Sequence, residues 1–185
     1  MINILLLSAV STLNGIVEES DALRTQLSTS IAGVPAESVE HGWLTVRTTA
    51  YTHTESDHKK YGRKTASGTT LRFGEIRSAA ADWSRFPVGT RFQIEGDPSI
   101  YVVEDYGSAL VGKHTIDLYR PTRKSMNTWG VRNVRIRILE WGSFQRSLKI
   151  MRGRTHHQSV RTMAEKIRRD DSPARRALEE FLQPS

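Results

Sequence analysis

The chain has 185 residues, of which 37% are hydrophobic and 25% are charged. This length fits one domain of ordinary size with extensions, and the composition excludes a wholly disordered protein. The sequence contains no cysteine, which excludes disulfide bonds, thiolate metal sites and a cysteine nucleophile.

The formal net charge of +7 is unevenly distributed along the chain. Residues 1–39 carry one basic and four acidic side chains, a net −3, whereas residues 40–142 and 143–185 each carry a net +5. A basic surface favours a polyanionic partner such as nucleic acid, anionic lipid or an acidic wall polymer. Charge alone does not choose among these partners.

Residues 1–40 are predicted to be a signal-like segment followed by a linker. The apolar run at residues 2–10 is too short to span a bilayer. It resembles the apolar centre of a secretory signal, although no Lys or Arg precedes it. The run is therefore either the remnant of a secretion signal or a buried or weakly anchoring stretch. Residues 15–40 are polar and predict a linker with one short helix.

Residues 41–142 are predicted to form a small, closed, six-stranded β-barrel. Leu44, Val46 and Thr48 alternate with polar residues, which is the period of a half-buried strand. Further short strands are predicted in SAAA, TRFQIEG, IYVVED, HTIDLY and VRNVRIRIL, with Gly and Pro between them. Closure of such strands removes exposed sheet edges. PTRKSMNTWG predicts a short helix opened by Pro121 and closed by Gly130.

Residues 143–185 are predicted to be a basic helical tail. Val160, Met163 and Ile167 lie on one helical face. Ser172 and Pro173 predict the start of a final helix, with an apolar side formed by Leu178, Phe181 and Leu182. The tail is either packed on the barrel or fraying in solution, or it is a tether to a wall polymer or a membrane surface.

Three aspartates, Asp82, Asp105 and Asp117, each stand at the end of a short apolar run. An acidic side chain at such a position is costly unless something uses it. If the fold brings the three together, they form a carboxylate cluster of the kind that cleaves sugar bonds. The alternative is that each aspartate caps a turn.

An ordered series of motifs occupies the same stretch. It consists of AYT at residues 50–52, TASGT at residues 65–69, AAADW followed by FPVGT, EDYGSALVGKHTIDLY, and NTWG before an arginine-rich strand. Together these motifs resemble the 3D domain, a double-psi β-barrel named for three aspartates. That family occurs in bacterial cell-wall proteins, among them membrane-bound lytic transglycosylase A and the stationary-phase-survival proteins. The resemblance covers about half of the chain.

The resemblance implies a peptidoglycan lytic transglycosylase in the bacterial cell envelope. The 12-residue step from Asp105 to Asp117 equals the spacing of the second and third aspartates of the family. By that correspondence Asp117 is the acid/base that cleaves the MurNAc–GlcNAc β-1,4 bond with a 1,6-anhydro product. Asp105 is a supporting carboxylate and Asp82 is the third member. No metal or cofactor is expected, and the expected partner is peptidoglycan rather than nucleic acid.

Two departures from the family pattern suggest an alternative function. Tyr106, Gly107 and Ser108 stand where the family usually has Thr-Gly-Gly, and Trp83 stands where it usually has Pro. A bulky Tyr and an added hydroxymethyl group would narrow or re-aim that loop. The alternative is therefore a non-catalytic module that binds peptidoglycan or another glycan.

Candidate substrate-binding residues follow from the same motifs. Hydroxyl groups and a cation near the carboxylates could meet glycan hydroxyls, N-acetyl groups or a peptide carboxylate, and each could equally serve turn chemistry. The candidates are Thr52, Thr65, Ser67, Gly107, Ser108 and Lys113. Trp83 and Tyr106 could stack on a sugar ring, although packing is the commoner role of an aromatic side chain. A zinc site at His53, Asp57 and His58 has little support, because their spacing is loose and lysines surround them.

Overall fold

A computed structural model of the protein describes residues 39–40, 43–55 and 62–170. The strands are β1 (Val39–Glu40), β2 (Trp43–Tyr51), β3 (Ile76–Ala80), β4 (Arg91–Ile94), β5 (Ile100–Asp105), β6 (Thr115–Tyr119) and β7 (Arg132–Glu140). The α-helices are α1 (Arg123–Trp129), α2 (Phe144–Met151) and α3 (Gln158–Asp170). Two short 3₁₀ turns occupy Ser108–Leu110 and Arg152–Arg154.

Six of the strands close into a barrel. They are ordered β2-β6-β3-β5-β4-β7, and β7 pairs back onto β2. The pairs β2–β6 and β3–β5 are parallel, and the other four pairs of the ring are antiparallel. Strand β1 adds to the beginning of β2 outside the ring. The prediction of a six-stranded barrel with helical extensions is thus confirmed for the described residues.

The alternation of apolar and polar residues sets which side chains fill the barrel. Leu44, Val46 and Thr48 of β2 are buried, whereas the residues between them are exposed or half-buried. Phe92 and Ile94 of β4 are buried in the same way. Because successive side chains of a strand point to opposite faces, these residues share the inner face.

Helix α1 connects β6 to β7 and begins later than its sequence pattern suggests. Thr122 is the N-cap, and its hydroxyl accepts a hydrogen bond from the backbone N–H of Ser125. Pro121 therefore precedes the cap instead of occupying the first helical turn. Gly130 closes the helix at φ +62°, as expected of a glycine in the left-handed region.

Helices α2 and α3 pack onto the barrel and share its core. Val160, Met163 and Ile167 are buried and belong to the same apolar cluster as Trp83 and Phe86 of the barrel domain. The packed alternative for the tail therefore holds as far as Asp170. The helix predicted after Pro173 lies outside the described residues.

A second, smaller apolar cluster lies on the outer face of the barrel. It contains Tyr51, Leu71, Ala80, Leu110 and Tyr119. The chain neighbours of Ala80 and Tyr119 on these strands belong to the inner cluster. The segment around Leu71 thus covers part of the outer face where β2, β3 and β6 lie side by side.

The predicted signal-like segment and most of the linker fall outside the described residues. In the part of the chain that the structure does describe, none of the helices has the length and apolar character needed to cross a membrane.

Candidate functional site

Two of the predicted aspartates lie on either side of the same residue. Asp117 of β6 is paired with Ala80 of β3, and Asp105 of β5 is paired with Ala80 from the other side. Two strand spacings separate the Cα atoms of the aspartates by about 10 Å. The fold therefore brings together two carboxylates that stand 12 residues apart in the sequence.

An irregularity in strand pairing directs Asp105 toward the outer face. Ala79 pairs with Val103, but the next residue, Ala80, pairs with Asp105. The extra residue, Glu104, makes a β-bulge, a feature that re-aims side chains next to functional sites. The carboxylates of Asp105 and Glu104 both lie on the side of the barrel that residues 62–75 cover, because Ala66 and Thr69 of that segment donate hydrogen bonds to them.

Asp105 is a buried carboxylate held by backbone donors. Its Oδ1 accepts hydrogen bonds from the N–H groups of Ala66, at 3.1 Å, and of Tyr106, at 2.9 Å. Only 7% of its surface is exposed. Backbone N–H groups that donate to a carboxylate form charge-assisted hydrogen bonds and fix its orientation. Asp105 is therefore suited to stabilising positive charge nearby.

Asp117 has a more open setting. It is half-buried, and its Oδ1 accepts a hydrogen bond of 2.6 Å from the hydroxyl of Thr49, its register partner on β2. The hydroxyl fixes one carboxylate oxygen in place. A fixed carboxyl group that solvent can reach meets the geometric requirement for proton exchange with a substrate.

Tyr51 stands among the carboxylates. It lies two residues beyond Thr49 on β2, and its ring packs edge-on against Tyr119 with ring centroids 5.7 Å apart. Burial raises the pKa of Tyr51 well above its ordinary value of 10.0, and the charges of Asp105, Asp117 and Glu104 raise this pKa further. The phenol therefore stays protonated beside the acidic groups.

Glu104 organises the loop that covers the site. It is buried and accepts hydrogen bonds from the hydroxyls of Ser78, at 2.7 Å, and Thr69, at 3.0 Å. Arg72 completes the set with an ion pair of 2.7 Å. The backbone carbonyl of Glu104 also accepts a hydrogen bond from the N–H of Ser67. Glu104 thus holds the TASGT loop (residues 65–69) at its middle through the backbone carbonyl and at its end through the carboxylate.

Asp82 occupies a different environment from the other two aspartates. Its carboxylate accepts hydrogen bonds from the N–H and hydroxyl of Ser84, at 2.8 and 2.6 Å, and from the N–H of Gly112, at 2.7 Å. Only 1% of its surface is exposed. These contacts match the turn-capping alternative, because they tie the loop after β3 to the loop before β6. The third carboxylate near Tyr51 is Glu104.

The candidate substrate residues fall into two groups. Thr65 and Ser67 belong to a hydroxyl cluster with Thr69, with oxygen–oxygen distances of 2.9 to 3.1 Å. Ser108 and Lys113 are exposed on the loop between β5 and β6. Both groups border Asp105, which contacts the first loop at Ala66 and immediately precedes the second.

Two further candidates are less accessible. Gly107 is half-buried, and a Cβ atom there would sit 3.5 Å from the side chain of Leu110. Thr52 is fully buried, and its hydroxyl has no hydrogen-bond partner among the described residues. A side chain at that depth does not line the surface, so Thr52 is not accessible to a polymer.

The two aromatic departures from the family pattern contact each other. Trp83 is fully buried, and its indole N–H donates to the backbone carbonyl of Asp105 at 2.9 Å. Tyr106 packs edge-on against it, with ring centroids 4.9 Å apart. Trp83 is therefore a core residue and cannot stack on a sugar ring. Tyr106 is half-buried and keeps part of its ring at the surface.

The structure lends no support to a zinc site. His53 shares a hydrogen bond of 2.9 Å between its Nδ1 and the hydroxyl of Tyr119. No group of three potential metal ligands occurs among residues 39–40, 43–55 and 62–170. Asp57 and His58 lie outside those ranges.

Reasoning from the sequence missed Tyr51 and Glu104. Both stand inside the motifs that drew attention to their neighbours, AYT and EDYGS. A tyrosine in a strand suggests a packing role, and strand alternation predicts that Glu104 points to the face opposite to that of Asp105. Only the bulge and the covering loop show that both belong to the site.

Comparison with known proteins adds two findings. Residues 77–140, about a third of the chain, match the family model of the 3D domain. Over 97 residues, 52% of this chain, the sequence is 33% identical to the "Putative cell wall shaping protein YabE" of Bacillus subtilis (strain 168). That match covers 23% of the relative, so the chain spans less than a quarter of its length.

Proposed function

Because residues 77–140 carry a 3D domain, we propose that this protein acts on peptidoglycan as a lytic transglycosylase in the cell envelope. The proposed reaction cleaves the MurNAc–GlcNAc β-1,4 bond and leaves a 1,6-anhydro product. The observation that carries the proposal is the position of Asp105 and Asp117 on either side of Ala80. The printed description of the Bacillus relative, a cell wall shaping protein, points to the same polymer.

Asp117 is the proposed acid/base. Its protonated carboxyl gives a proton to the glycosidic oxygen as the bond from that oxygen to C1 of MurNAc breaks. The resulting carboxylate then takes the proton of the C6 hydroxyl of the same sugar, whose oxygen attacks C1 and closes the anhydro ring. The reaction consumes no water. Because the nucleophile belongs to the substrate, its attack is intramolecular and has an entropic advantage.

Asp105 is the proposed electrostatic partner. The positive charge that develops at C1 is stabilised by a nearby carboxylate, and two backbone donors hold the carboxyl group of Asp105 in place. The bulge directs the side chains of Asp105 and Glu104 to the same side of the barrel, and the two carboxylates have separate tasks. Asp105 faces the reaction, whereas Glu104 holds the covering loop.

The substrate would bind along the two loops that border Asp105. Thr65 and Ser67 on one loop and Gly107 and Ser108 on the other offer hydrogen-bonding groups to glycan hydroxyls and N-acetyl groups. Lys113 is exposed at the end of the second loop, where an ammonium group suits a lactyl or peptide carboxylate. Asp82 has a supporting role, because it fastens this second loop to the barrel through Gly112.

One observation favours a second candidate, a peptidoglycan-binding module without catalysis. Tyr106 directly follows Asp105, and its half-buried ring is fixed against Trp83. A fixed aromatic ring beside the carboxylate narrows the approach of a polymer to Asp105 while offering a surface for a sugar. In this alternative the protein binds peptidoglycan but does not cleave it.

Incubation of the purified full chain with peptidoglycan sacculi tests the proposal. Anhydromuropeptides detected by mass spectrometry are the expected product, and products with ordinary reducing ends would identify a hydrolase instead. Co-sedimentation with sacculi without turnover would identify the binding module. If the protein gives no products and does not bind sacculi, both candidates are overturned.

The variant Asp117→Asn should lose about 10²- to 10⁴-fold in rate, the contribution typical of a general acid/base, while remaining folded. The matched control is Glu95→Gln, which removes an exposed carboxylate that is paired with Arg135 in the turn directly after β4. Glu95→Gln should retain the rate of the unmodified protein.

A further inference from the structure

The C-terminal helices reach the proposed active site through one side chain. Arg154 lies in the 3₁₀ turn between α2 and α3, and its guanidinium donates a hydrogen bond of 2.8 Å to the backbone carbonyl of Ala66. The N–H of the same residue, Ala66, donates to Oδ1 of Asp105. Two hydrogen bonds to Ala66 thus connect the helical segment to the carboxylate of Asp105. We call this connection, Arg154–Ala66–Asp105, the relay.

The surroundings make this relay a fixed one. Ala66 packs against the main apolar cluster, and Arg154 is half-buried. On the other side of the turn, the backbone N–H of Val88 donates a buried hydrogen bond of 3.0 Å to the hydroxyl oxygen of Ser147 in α2. The helices are therefore anchored on both sides of the point from which Arg154 extends.

Both polar groups of the Ala66 backbone form hydrogen bonds. The next residue, Ser67, is held by the carbonyl of Glu104, which fixes the loop behind the site. At Ala66 itself, the carbonyl accepts from Arg154 and the N–H donates to Asp105. That N–H belongs to the peptide group before Ala66, and Arg154 holds the adjoining peptide group through the Ala66 carbonyl.

We propose that Arg154 is a positioning residue for Asp105, and that the helices after Gly142 are part of the catalytic unit although they lie outside residues 77–140. This proposal rests on the proposed function for its kinetic consequence. It assigns to the basic C-terminal segment a task in the reaction rather than in tethering. Arg154 contacts no substrate and acts through Ala66.

Kinetics of anhydromuropeptide release provide the first test. Arg154→Ala should lower kcat by about 10- to 100-fold, the loss typical of a small misplacement of a catalytic group, with little change in KM. Arg154→Lys keeps one donor and should restore part of the rate. Arg152→Ala removes the same charge from an exposed neighbour in the same turn and should behave as the unmodified protein. Equal losses in Arg154→Ala and Arg152→Ala would overturn the proposal.

A second measurement does not depend on turnover. An N–H that donates to a carboxylate has a downfield amide proton resonance. Backbone assignment identifies the Ala66 signal, and Asp105→Asn should shift it together with that of Tyr106, which donates to the same oxygen. Arg154→Ala should move the Ala66 resonance upfield in the folded full chain, whereas Arg152→Ala should leave it in place. An unmoved Ala66 signal in Arg154→Ala would overturn the relay. Absence of products from the unmodified protein would instead overturn the proposed function, with the resonance still deciding whether Arg154 positions Asp105.

Discussion

The indole N–H of Trp83 donates a hydrogen bond to the backbone carbonyl of Asp105 across 2.9 Å in the barrel core. This contact joins the loop after β3 to the end of β5, where the bulge turns the carboxylate outward. The same carbonyl accepts a second bond from the N–H of Ala81. Trp83 therefore braces the backbone from which the Asp105 side chain projects.

Replacement of Trp83 should destabilise the protein and disturb the site. Trp83→Phe removes the hydrogen bond and part of the ring volume at a fully buried position, and we expect a loss of about 1 to 3 kcal/mol in the free energy of unfolding. Urea denaturation followed by circular dichroism measures it. The control, Tyr106→Phe, keeps the ring contact and should cost less than about 0.5 kcal/mol. Equal stabilities of Trp83→Phe and the unmodified protein would contradict the role of this bond.

The covering loop should depend on Glu104. Glu104→Gln removes the negative charge that pairs with Arg72 and weakens the acceptor for two hydroxyl groups. We expect a loss of about 1 to 3 kcal/mol in the free energy of unfolding. Arg72 is 43% exposed and can be rehydrated, which limits the loss.

Glu75→Gln is the matched control for Glu104→Gln, because Glu75 is an exposed glutamate on the same covering segment. Its change in stability should stay within about 0.5 kcal/mol. Equal effects of the two substitutions, measured in the same urea titration, would show that the buried position of Glu104 carries no special stability.

Alkaline conditions should unfold the protein through its buried tyrosines. Burial raises the pKa of Tyr51, so the folded state keeps a proton that the unfolded state releases above about pH 10. The native state then binds more protons than the unfolded one, and stability falls as pH rises, by about 1.4 kcal/mol per pH unit for each proton. Burial raises the pKa of Tyr101 and Tyr119 as well.

The contribution of Tyr51 can be isolated by substitution. Tyr51→Phe should reduce the slope of the unfolding free energy against pH between about pH 10 and pH 12. The reduction is at most the contribution of one proton, about 1.4 kcal/mol per pH unit, and urea titrations across that range measure it. Below pH 9 the slope should not change. A slope in Tyr51→Phe equal to that of the unmodified protein would indicate that Tyr51 ionises without cost in the folded state.

The junction between β7 and α2 should tolerate no side chain at Gly142. A Cβ atom there would come within 2.4 Å of the carbonyl oxygen of Val88 and 2.5 Å of that of Pro87. Since backbone atoms cannot yield cheaply, Gly142→Ala should cost about 3 kcal/mol or more, at the upper end of overpacking effects. A thermal melt measures the shift. In Gly153→Ala the added atom meets nothing within 4 Å, so this control should melt close to the unmodified protein.

Periodicity predicted most of the barrel because one face of each strand is buried. The alternation through Leu44, Val46 and Thr48 identified β2, and Val160, Met163 and Ile167 identified the buried face of α3. In these elements the burial of one face determines the residue pattern directly. The cap of α1 was harder, since Pro121 and Thr122 both suit the beginning of a helix, and the hydroxyl of the second forms the cap.

The site was predicted less completely, for reasons that follow from the register of the strands. The spacing of Asp105 and Asp117 gave a pair that the sheet brings together across Ala80. The bulge at Glu104 has no signature in alternation, so its carboxylate was not recognised as part of the site. Asp82 has the flanks of its partners, yet its side chain is used by Ser84 and Gly112. Motif position alone does not separate a reacting carboxylate from one that fastens loops.

Because β2 closes the barrel, it must be part of the smallest fragment of this protein that can be expressed on its own. Strand β2 pairs with both β6 and β7, and it lies ahead of residues 77–140. A fragment cut to that family match would leave two strands with unsatisfied edges, which recruit other chains and aggregate. Expression of residues 43–170 would keep the ring intact together with the helices that complete its core.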